Sequence, residues 1–276
     1  MNLASAIREN VKAALKEDLG RGDLTAKLIP ASARAKATVI TREKAVLCGT
    51  AWFAASFKKL DPKAKISWQA RDGDAVQAGQ TLCEIEGRAR ALLTAERAAL
   101  NFLQTLSGTA TLTRRFVEGV RGTQAVIMDT RKTLPGLRIA QKYAVKTGGG
   151  ENHRVGLSDG ILIKENHIAA TGGVEPALAQ ARKLAKRGVF IQIEVENLGQ
   201  LKQALDGGAQ LILLDNFNLE QLREAVRITA KRAQLEASGG INLDNVRAVA
   251  ETGVDRISVG SLTKDIKAID LSLRFK

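Results

Sequence analysis

Hydrophobic residues in the first twenty positions, MNLASAIRENVKAALKEDLG, recur at helical spacing with charged residues between them. This pattern predicts an amphipathic helix and differs from a signal peptide, which has an uninterrupted apolar region. Apolar and polar residues then alternate in AKATVITREKAVLCG, as they do in strands, and helical spacing over 50–60 ends at Asp61 and Pro62. The first part of the chain is therefore expected to combine helices with a sheet.

A longer helical pattern covers Thr94–Arg121, where Leu100, Leu103 and Leu106 fall on related faces. Beyond it, short β-rich runs alternate with helical stretches. Six runs are predicted as strands: Ala125–Met128, Gly160–Ile163, Phe190–Val195, Gln210–Leu214, Gln234–Ala237 and Arg256–Val259. This alternation is typical of a parallel sheet built from βαβ units, so the long helix is expected to join two domains.

Polar residues and a glycine stand where the predicted strands end. They are Asp129, Arg131, Lys164, Glu194, Glu196, Asp215, Ser238 and Gly260. Such a set favours a closed α/β barrel over an open sheet, although periodicity alone fits both, because the C-terminal rim of a barrel carries the active site.

Two glycine-containing loops follow the last two predicted strands. They are Ser238–Gly240, which leads into a predicted helix over Leu243–Glu251, and Val259–Ser261. Backbone amides and a helix N-terminus at these positions would bind a phosphate group. The alternative is that the glycines are turn residues only.

The stretch from Asp129 to His167 is strongly cationic. It supplies Arg131, Lys132, His153, Arg154 and Lys164 at predicted loops or strand ends. Arginine binds carboxylates bidentately and lysine acts as a compact charge on phosphates, so the mixture predicts a ligand set with both groups. The glycines at 148–150 would allow a close backbone approach or a positive φ beside His153.

Glu194 and Asp215 have two interpretations. They could be salt-bridge partners of the cations, or they could hold ribose hydroxyls or Mg²⁺ and stabilise positive charge on a sugar ring. The sequence has no evident nucleophile triad, Walker A motif, GxGxxG motif or zinc-ligand spacing. Electrostatic positioning is therefore the expected catalytic strategy.

Composition narrows the classes of partner. The net charge of +13 over 276 residues could indicate nucleic-acid binding, but the aromatic content of 4% and the dispersed Lys and Arg argue against it. No apolar run approaches the roughly 18 residues of a membrane span, so the cytoplasm is expected. Cys48 and Cys83 are expected to be reduced and buried.

Several motifs together resemble the quinolinate phosphoribosyltransferase family, and they cover nearly the whole chain. They are KEDLGRGDLT, ERAALNFLQTLSGTAT, DTRKTLPGLR, KYAVKTGGGENHRVGLSDGILIKENHI, IEVENL, ILLDNF, EASGGI and GVDRISVGSLT. The resemblance implies an N-terminal open-faced α/β sandwich over 1–107, with 265–276 as a segment that could rejoin it. It also implies a seven-stranded, TIM-like α/β barrel over 108–264. Two subunits would form a homodimer in which the N-terminal domain of one covers the barrel rim of the other, with higher oligomers left open.

The resemblance further implies transfer of phosphoribosyl from phosphoribosyl pyrophosphate to quinolinate. The products would be nicotinate mononucleotide, pyrophosphate and carbon dioxide, as a step of NAD biosynthesis assisted by Mg²⁺. In this reading Arg131, His153 and Arg154 bind the quinolinate carboxylates, and Arg97 joins them from the neighbouring subunit.

The remaining roles are also implied by the resemblance. Lys132 and Lys164 would contact phosphoribosyl pyrophosphate or the reacting carboxylate, and Glu194 and Asp215 would hold ribose hydroxyls or Mg²⁺. These four are the expected catalytic residues. The rest of the expected substrate-binding set is Thr130, Ser238, Gly239, Gly240, Val259, Gly260 and Ser261, of which the two late loops would hold the 5′-phosphate.

One position departs from the family pattern. Glu165 in the run Lys164–His167 stands where the family has Asp, which keeps the charge and adds a methylene. The nearest rival is a related protein associated with molybdenum transport, which shares parts of the arginine and triple-glycine motifs but lacks the full run. A rival of another class is a non-catalytic nucleic-acid-binding or scaffold protein that uses the positive charge.

Overall fold

The structure is a computed structural model that describes residues 2–276. The chain divides into two compact units. Unit 1 contains the chain up to Arg114 together with Thr133–Gly149 and Leu262–Lys276, and unit 2 contains Arg115–Lys132 and Gly150–Ser261. The boundaries expected from the resemblance, 1–107 and 108–264, remain predictions about the domains of the family.

Unit 1 contains six strands. They are β1 (Arg34–Thr41), β2 (Ala45–Val46), β3 (Lys65–Trp68), β4 (Ala75–Val76), β5 (Thr81–Arg88) and β12 (Leu271–Phe275). Four of them form an antiparallel sheet in the order β12-β1-β5-β3, while β2 and β4 pair separately. Because β12 pairs along β1, the C-terminal end of the chain completes this sheet.

The helices of unit 1 contribute residues to its buried hydrophobic clusters. They are α1 (Leu3–Leu19), a 3₁₀ turn (Thr25–Leu28), α2 (Thr50–Leu60), α3 (Ala89–Gly119, up to Arg114 in this unit) and α4 (Arg138–Gly148). The α2 prediction is confirmed, and α3 begins at Ala89 rather than at the predicted Thr94. Phe53 and Leu92 of the helices pack with Val39 and Ile85 of the sheet in one buried cluster.

Both cysteines are free and buried, as predicted. Removal from water disfavours the thiolate, so burial raises the pKa of Cys83 to about 12 and raises that of Cys48 as well. Neither thiol is therefore suited to act as a nucleophile at neutral pH.

The triple glycine has structural roles of both predicted kinds. A Cβ atom on Gly148 would lie 2.6 Å from the carbonyl oxygen of Ala110, so only glycine allows α4 to approach α3 this closely. Gly149 ends α4 with a φ of +99°, in the left-handed region that favours glycine.

Unit 2 is built on a wholly parallel sheet. Its strands are β6 (Val126–Met128), β7 (Gly160–Ile163), β8 (Phe190–Val195), β9 (Leu211–Asp215), β10 (Gln234–Ser238) and β11 (Arg256–Ser258), in the order β6-β11-β10-β9-β8-β7. The six predicted strands are all confirmed, each within one residue at either end. The count of seven is not confirmed: residues 2–276 give six strands in this sheet and one isolated parallel bridge between Met128 and Glu151.

Helices separate strands β7 to β11 along the chain. They are α5 (Glu165–Thr171), α6 (Val174–Leu184), α7 (Leu198–Asp206), α8 (Leu219–Thr229) and α9 (Val246–Ala250). The short helix α10 (Ser261–Lys264) follows β11, and its first residue is the last residue of unit 2. Buried aliphatic residues such as Ile193, Ile212 and Leu214 fill the strands, as expected for parallel strands covered on both faces. Parallel pairing brings all the carboxyl ends of the strands to one edge, which is where the predicted polar residues stand.

Candidate functional site

The carboxyl ends of the unit 2 strands hold most of the predicted site residues. Lys164 follows β7, Glu194 lies in β8, Asp215 ends β9 and Ser238 ends β10. The register places Ser238 directly beside Asp215, and Glu194 beside Leu213 of the neighbouring strand. Residues separated by up to 74 positions in the sequence, from Lys164 to Ser238, thus share one edge.

Lys164 and Glu194 form an ion pair. The Lys164 Nζ lies 2.9 Å from one carboxylate oxygen of Glu194 and 3.2 Å from the other. The Lys164 side chain is 49% exposed and that of Glu194 is 14% exposed, so the pair is open to solvent mainly from the lysine side. The salt-bridge interpretation of Glu194 is therefore borne out by this contact, and an ion pair that is open to solvent on one side contributes little to stability and can exchange partners.

Asp215 has a neighbour that the sequence reading missed. Asn216 donates from Nδ2 to Asp215 Oδ2 at 2.7 Å, and its backbone N–H donates to the carbonyl oxygen of Ser238 at 2.9 Å. Asn216 has a φ of +57°, a conformation that asparagine tolerates better than most residues. The available signal was the Asp-Asn pair directly after a predicted strand.

The first glycine loop is built around Asn216. Gly239 has a φ of +99°, and a Cβ atom there would lie 2.1 Å from Asn216 Oδ1. Gly240 has a φ of +60° with no atom within 4 Å of its Cβ position. The predicted helix start at Leu243 was wrong, because the side chains of Asn242 and Asn245 cap a turn there and α9 begins at Val246.

The second glycine loop lies against Lys132 and Thr130. A Cβ atom on Gly260 would be 3.2 Å from Lys132 Cδ and 3.7 Å from Thr130 Oγ1. Thr130 Oγ1 in turn accepts a hydrogen bond from the backbone N–H of Lys132 at 3.1 Å. Val259 is bound to β6 by its N–H, which donates to Met128 O, and Ser261 begins α10. The loop after β11 thus shares its surroundings with the residues that follow β6.

Two arginines of the cationic stretch repel each other. The pKa of Arg154 is lowered, first by removal from water and then by the positive charge of Arg131, while Asp159 acts in the opposite direction. Arg154 is partly buried, and its Nη1 donates to the carbonyl oxygen of Gly160 at 3.0 Å. A dianion placed between these guanidinium groups would relieve their repulsion.

His153 belongs to a buried chain of hydrogen bonds. Its Nδ1 accepts from the backbone N–H of Arg154 at 2.8 Å, and its Nε2 lies 2.7 Å from Gln192 Oε1. Gln192 Nε2 donates to Glu236 Oε2 at 3.0 Å. The sequence reading missed Gln192 and Glu236, because each lies in the interior of a strand, where hydrophobic residues were expected. Both His153 ring nitrogens thus have partners inside the protein.

Acidic side chains also gather at this edge. The pKa of Glu196 is raised, first by a hydrogen bond with Glu165 and then by the negative charges of Glu165, Asp215 and Glu194. Glu165 is the residue that departs from the family pattern. Among residues 2–276, no group of three or more His, Cys, Asp and Glu side chains is arranged to hold a metal ion.

Arg97 lies in unit 1, on α3. It lines a cavity of about 360 Å³ together with Asn10, Glu17, Asp18, Asn101 and Phe102. All of these residues belong to unit 1. The role expected for Arg97 concerns a second subunit and remains a prediction.

The fold and the site define a class first: an α/β protein in which a parallel sheet gathers arginines, lysines, carboxylates and two glycine loops at the carboxyl ends of its strands. Family models then match the chain, one described as quinolinate phosphoribosyl transferase, N-terminal domain, over residues 23–107 and one as its C-terminal domain over 109–274. The chain belongs to the quinolinate phosphoribosyltransferase family. No helix within residues 2–276 is long and apolar enough to cross a membrane.

Individual relatives agree with this placement. The chain is 43% identical to the nicotinate-nucleotide pyrophosphorylase (carboxylating) of Mycobacterium leprae, over 97% of this chain and 96% of the relative. It is 42% identical to the probable nicotinate-nucleotide pyrophosphorylase (carboxylating) of Bacillus subtilis, over 93% and 89% of the two chains. The solved structure of the nicotinate-nucleotide pyrophosphorylase from Francisella tularensis superposes with a TM-score of 0.95 at 45% identity, covering 99% of this chain and 96% of that one.

Proposed function

We infer that this chain is a decarboxylating quinolinate phosphoribosyltransferase of NAD biosynthesis. It transfers the phosphoribosyl group of phosphoribosyl pyrophosphate to the ring nitrogen of quinolinate and releases pyrophosphate and carbon dioxide. Beyond the family relationship, the observation that carries this function is the partly buried Arg154, which Gly160 O orients and whose pKa is lowered first by removal from water and then by the positive charge of Arg131. A dicarboxylate bound by both arginines would offset these two effects.

Quinolinate binds through its two carboxylates. Arg131 and Arg154 offer bidentate donors, and Arg154 is already oriented by Gly160 O before the substrate arrives. Arg97 of a second copy completes the carboxylate site in a homodimer. Uniform binding of substrate and transition state would accelerate nothing, so the carboxylate that leaves must be held less tightly than the one that stays.

Phosphoribosyl pyrophosphate binds at the glycine loops. Ser238, Gly239 and Gly240 hold the 5′-phosphate through backbone N–H groups and the serine hydroxyl. Lys132, which lies against Gly260 and Thr130, offsets the charge of the pyrophosphate that departs. Val259 and Ser261 shape the same loop.

Glu194 and Asp215 act on the ribose. Departure of pyrophosphate leaves positive charge on the sugar ring, and carboxylates facing the ring stabilise that charge. For Glu194 to do so, Lys164 must leave its ion pair and turn to a substrate anion, which frees the carboxylate for a ribose hydroxyl. When substrate binds, Lys164 thus pairs with a substrate anion and Glu194 with a ribose hydroxyl, in place of their pairing with each other.

Mg²⁺ fits the donor set of this edge. The pKa of Glu196 is raised by its hydrogen bond with Glu165 and by the negative charges of Glu165, Asp215 and Glu194, and a divalent cation near these carboxylates would offset that repulsion. Mg²⁺ is commonly bound by one or two carboxylates and completed by substrate phosphates and water, so a cage of three protein ligands is not required. Glu194 and Asp215 would hold the ion, which when bound would neutralise charge on the leaving pyrophosphate.

The ring nitrogen explains the decarboxylation. Once ribosylated, this nitrogen is cationic, and its positive charge stabilises the electron pair that stays on the adjacent ring carbon as carbon dioxide departs. The arginines need only hold the remaining carboxylate during this step. Proton delivery to the ring carbon completes the product, nicotinate mononucleotide.

One assay tests this function. Quinolinate, nicotinate and nicotinamide are offered separately with phosphoribosyl pyrophosphate and Mg²⁺, and nicotinate mononucleotide and carbon dioxide are measured. Product from quinolinate alone, with equimolar carbon dioxide, is the expected result. Product from nicotinate at a comparable rate would contradict it, because nicotinate has only one carboxylate for the two arginines. The cytoplasm is the proposed location.

A further inference from the structure

The hydrogen atoms of the buried chain around His153 can be assigned from one fixed donor. A backbone N–H can only donate, so the N–H of Arg154 requires an unprotonated Nδ1 on His153. A neutral ring then carries its proton on Nε2, which donates to Gln192 Oε1 at 2.7 Å. The Gln192 amide is oriented accordingly, with its NH₂ group donating to Glu236.

We propose that Gln192 and Glu236 are positioning residues that hold His153 in the Nε2-protonated form, and that His153 positions Arg154 through its backbone instead of binding a substrate carboxylate itself. This proposal rests on the proposed function only in naming quinolinate as the ligand of Arg154. The tautomer of His153 is a property of the protein alone.

The side chains of Gln192 and Glu236, behind His153 in this chain of hydrogen bonds, are held in place by burial. Gln192 and Glu236 are each 1% exposed, so water does not compete for their polar atoms. Glu236 Oε2 accepts from Gln192 at 3.0 Å and lies 3.8 Å from His153 Nε2, too far for a hydrogen bond, while Glu236 Oε1 is buried without a hydrogen-bond partner. An amide held between a buried carboxyl and an imidazole has one orientation, since reversing it would place donor against donor at His153.

A second set of contacts holds the same arginine. The ring of Phe190 packs edge-on to the His153 ring, with centroids 5.5 Å apart. Phe190 also occupies the space beside Gly160, where a Cβ atom would lie 2.5 Å from the ring. Gly160 O accepts from the Arg154 guanidinium. Arg154 is therefore fixed at its backbone by His153 and at its side chain by Gly160, and both supports rest on β7 and β8.

The tautomer can be measured directly. The chain has two histidines, so selective ¹⁵N labelling of histidine gives two sets of ring nitrogen signals, which a His167→Gln variant assigns. We expect an unprotonated Nδ1 and a proton on Nε2 of His153. A proton on Nδ1 would overturn the proposal whether or not quinolinate is the substrate.

Substitutions at His153 separate positioning from direct binding. His153→Asn keeps an acceptor near Nδ1, whereas His153→Gln keeps a donor near Nε2. Calorimetry should show that each variant binds quinolinate roughly tenfold more weakly than the unsubstituted protein, because each loses one of the two hydrogen bonds of the ring. Adding Gln192→Leu to His153→Asn should weaken binding no further, because the hydrogen bond that it removes is already lost; a further tenfold loss would contradict the proposal.

Gln192→Leu tests the support behind His153. We expect loss of the single tautomer and a roughly tenfold weaker affinity for quinolinate, with affinity for phosphoribosyl pyrophosphate unchanged. Gln234→Leu, on the exposed start of β10, is the matched control and should change neither. If Gln192→Leu retains both the tautomer and the affinity, Gln192 has no positioning role. If the unchanged protein fails to bind quinolinate while His153 shows the expected tautomer, the proposed function fails and the assignment of the tautomer stands.

Discussion

The loop Ser238–Gly240 offers a matched pair of substitutions, Gly239→Ala and Gly240→Ala. Both glycines have positive φ values, +99° and +60°, so an alanine at either position costs about 1–2 kcal/mol of backbone strain. They differ in their surroundings. A Cβ atom at 239 would lie 2.1 Å from Asn216 Oδ1 and 3.0 Å from the Asn216 backbone N. A Cβ atom at 240 would have no neighbouring atom within 4 Å.

The cost specific to Gly239→Ala follows from the contacts of Asn216. To make room, the asparagine must move, and its hydrogen bond to Asp215 Oδ2 is then lost. A hydrogen bond to a charged group contributes about 1.5–3 kcal/mol. Gly239→Ala should therefore destabilise the ligand-binding arrangement by about 2 kcal/mol more than Gly240→Ala, which corresponds to roughly a thirtyfold difference in affinity.

The assay is calorimetric binding of phosphoribosyl pyrophosphate to both variants, with urea unfolding to measure the free energy of unfolding of each. Gly240→Ala serves as the control for backbone strain. Equal affinities in the two variants, with both folded, would refute the reasoning that Asn216 links this loop to Asp215. A larger effect at Gly240 would refute it as well.

Three further outcomes are expected. Arg154→Ala should raise the KM for quinolinate at least about tenfold while far-UV circular dichroism stays unchanged, because a partly buried charge-assisted contact is lost; an unaltered KM would contradict its role. Mixing Arg97→Ala with Lys164→Ala protein should restore part of the activity through hybrid dimers, and no recovery despite demonstrated subunit exchange would argue against a shared site. Asp61 accepts a hydrogen bond from the backbone N–H of Arg88, and this bond lowers the pKa of Asp61 below 3.8. The bond therefore stabilises the fold fully above that pH, and the stabilisation is lost as the pH falls below it. Asp61→Asn should be less stable at pH 7 and show a weaker decline in Tm towards pH 3, and an identical decline would count against this assignment.

The local pattern of hydrophobic residues was sufficient to predict strands that consist of an uninterrupted aliphatic run. The strands β7 and β8 were predicted at their observed bounds, because aliphatic runs between helical stretches have one stable arrangement in a parallel sheet. The helix over 243–251 was misplaced, because Asn242 and Asn245 cap a turn with their own side chains, and such local competition is weakly visible in hydrophobic spacing.

The site residues also fall into those that the sequence made visible and those that it did not. Arg131, Lys132, Arg154 and Lys164 were visible as charges in loops, where hydrophobic packing does not explain them. Gln192, Glu236 and Asn216 were not, since each matters through a partner that is distant in sequence or hidden by the fold.

By itself the sequence determined the order of strands and helices, the cationic character of the stretch from 129 to 167 and the family. Only the tertiary structure decided which residues pair: that Lys164 meets Glu194, that a Cβ atom at 239 would strike Asn216, and that the two His153 nitrogens face Arg154 and Gln192. The physical reason is one of range. Hydrophobic periodicity and charge are properties of neighbouring residues, whereas hydrogen bonds between side chains depend on distances that the folded backbone sets.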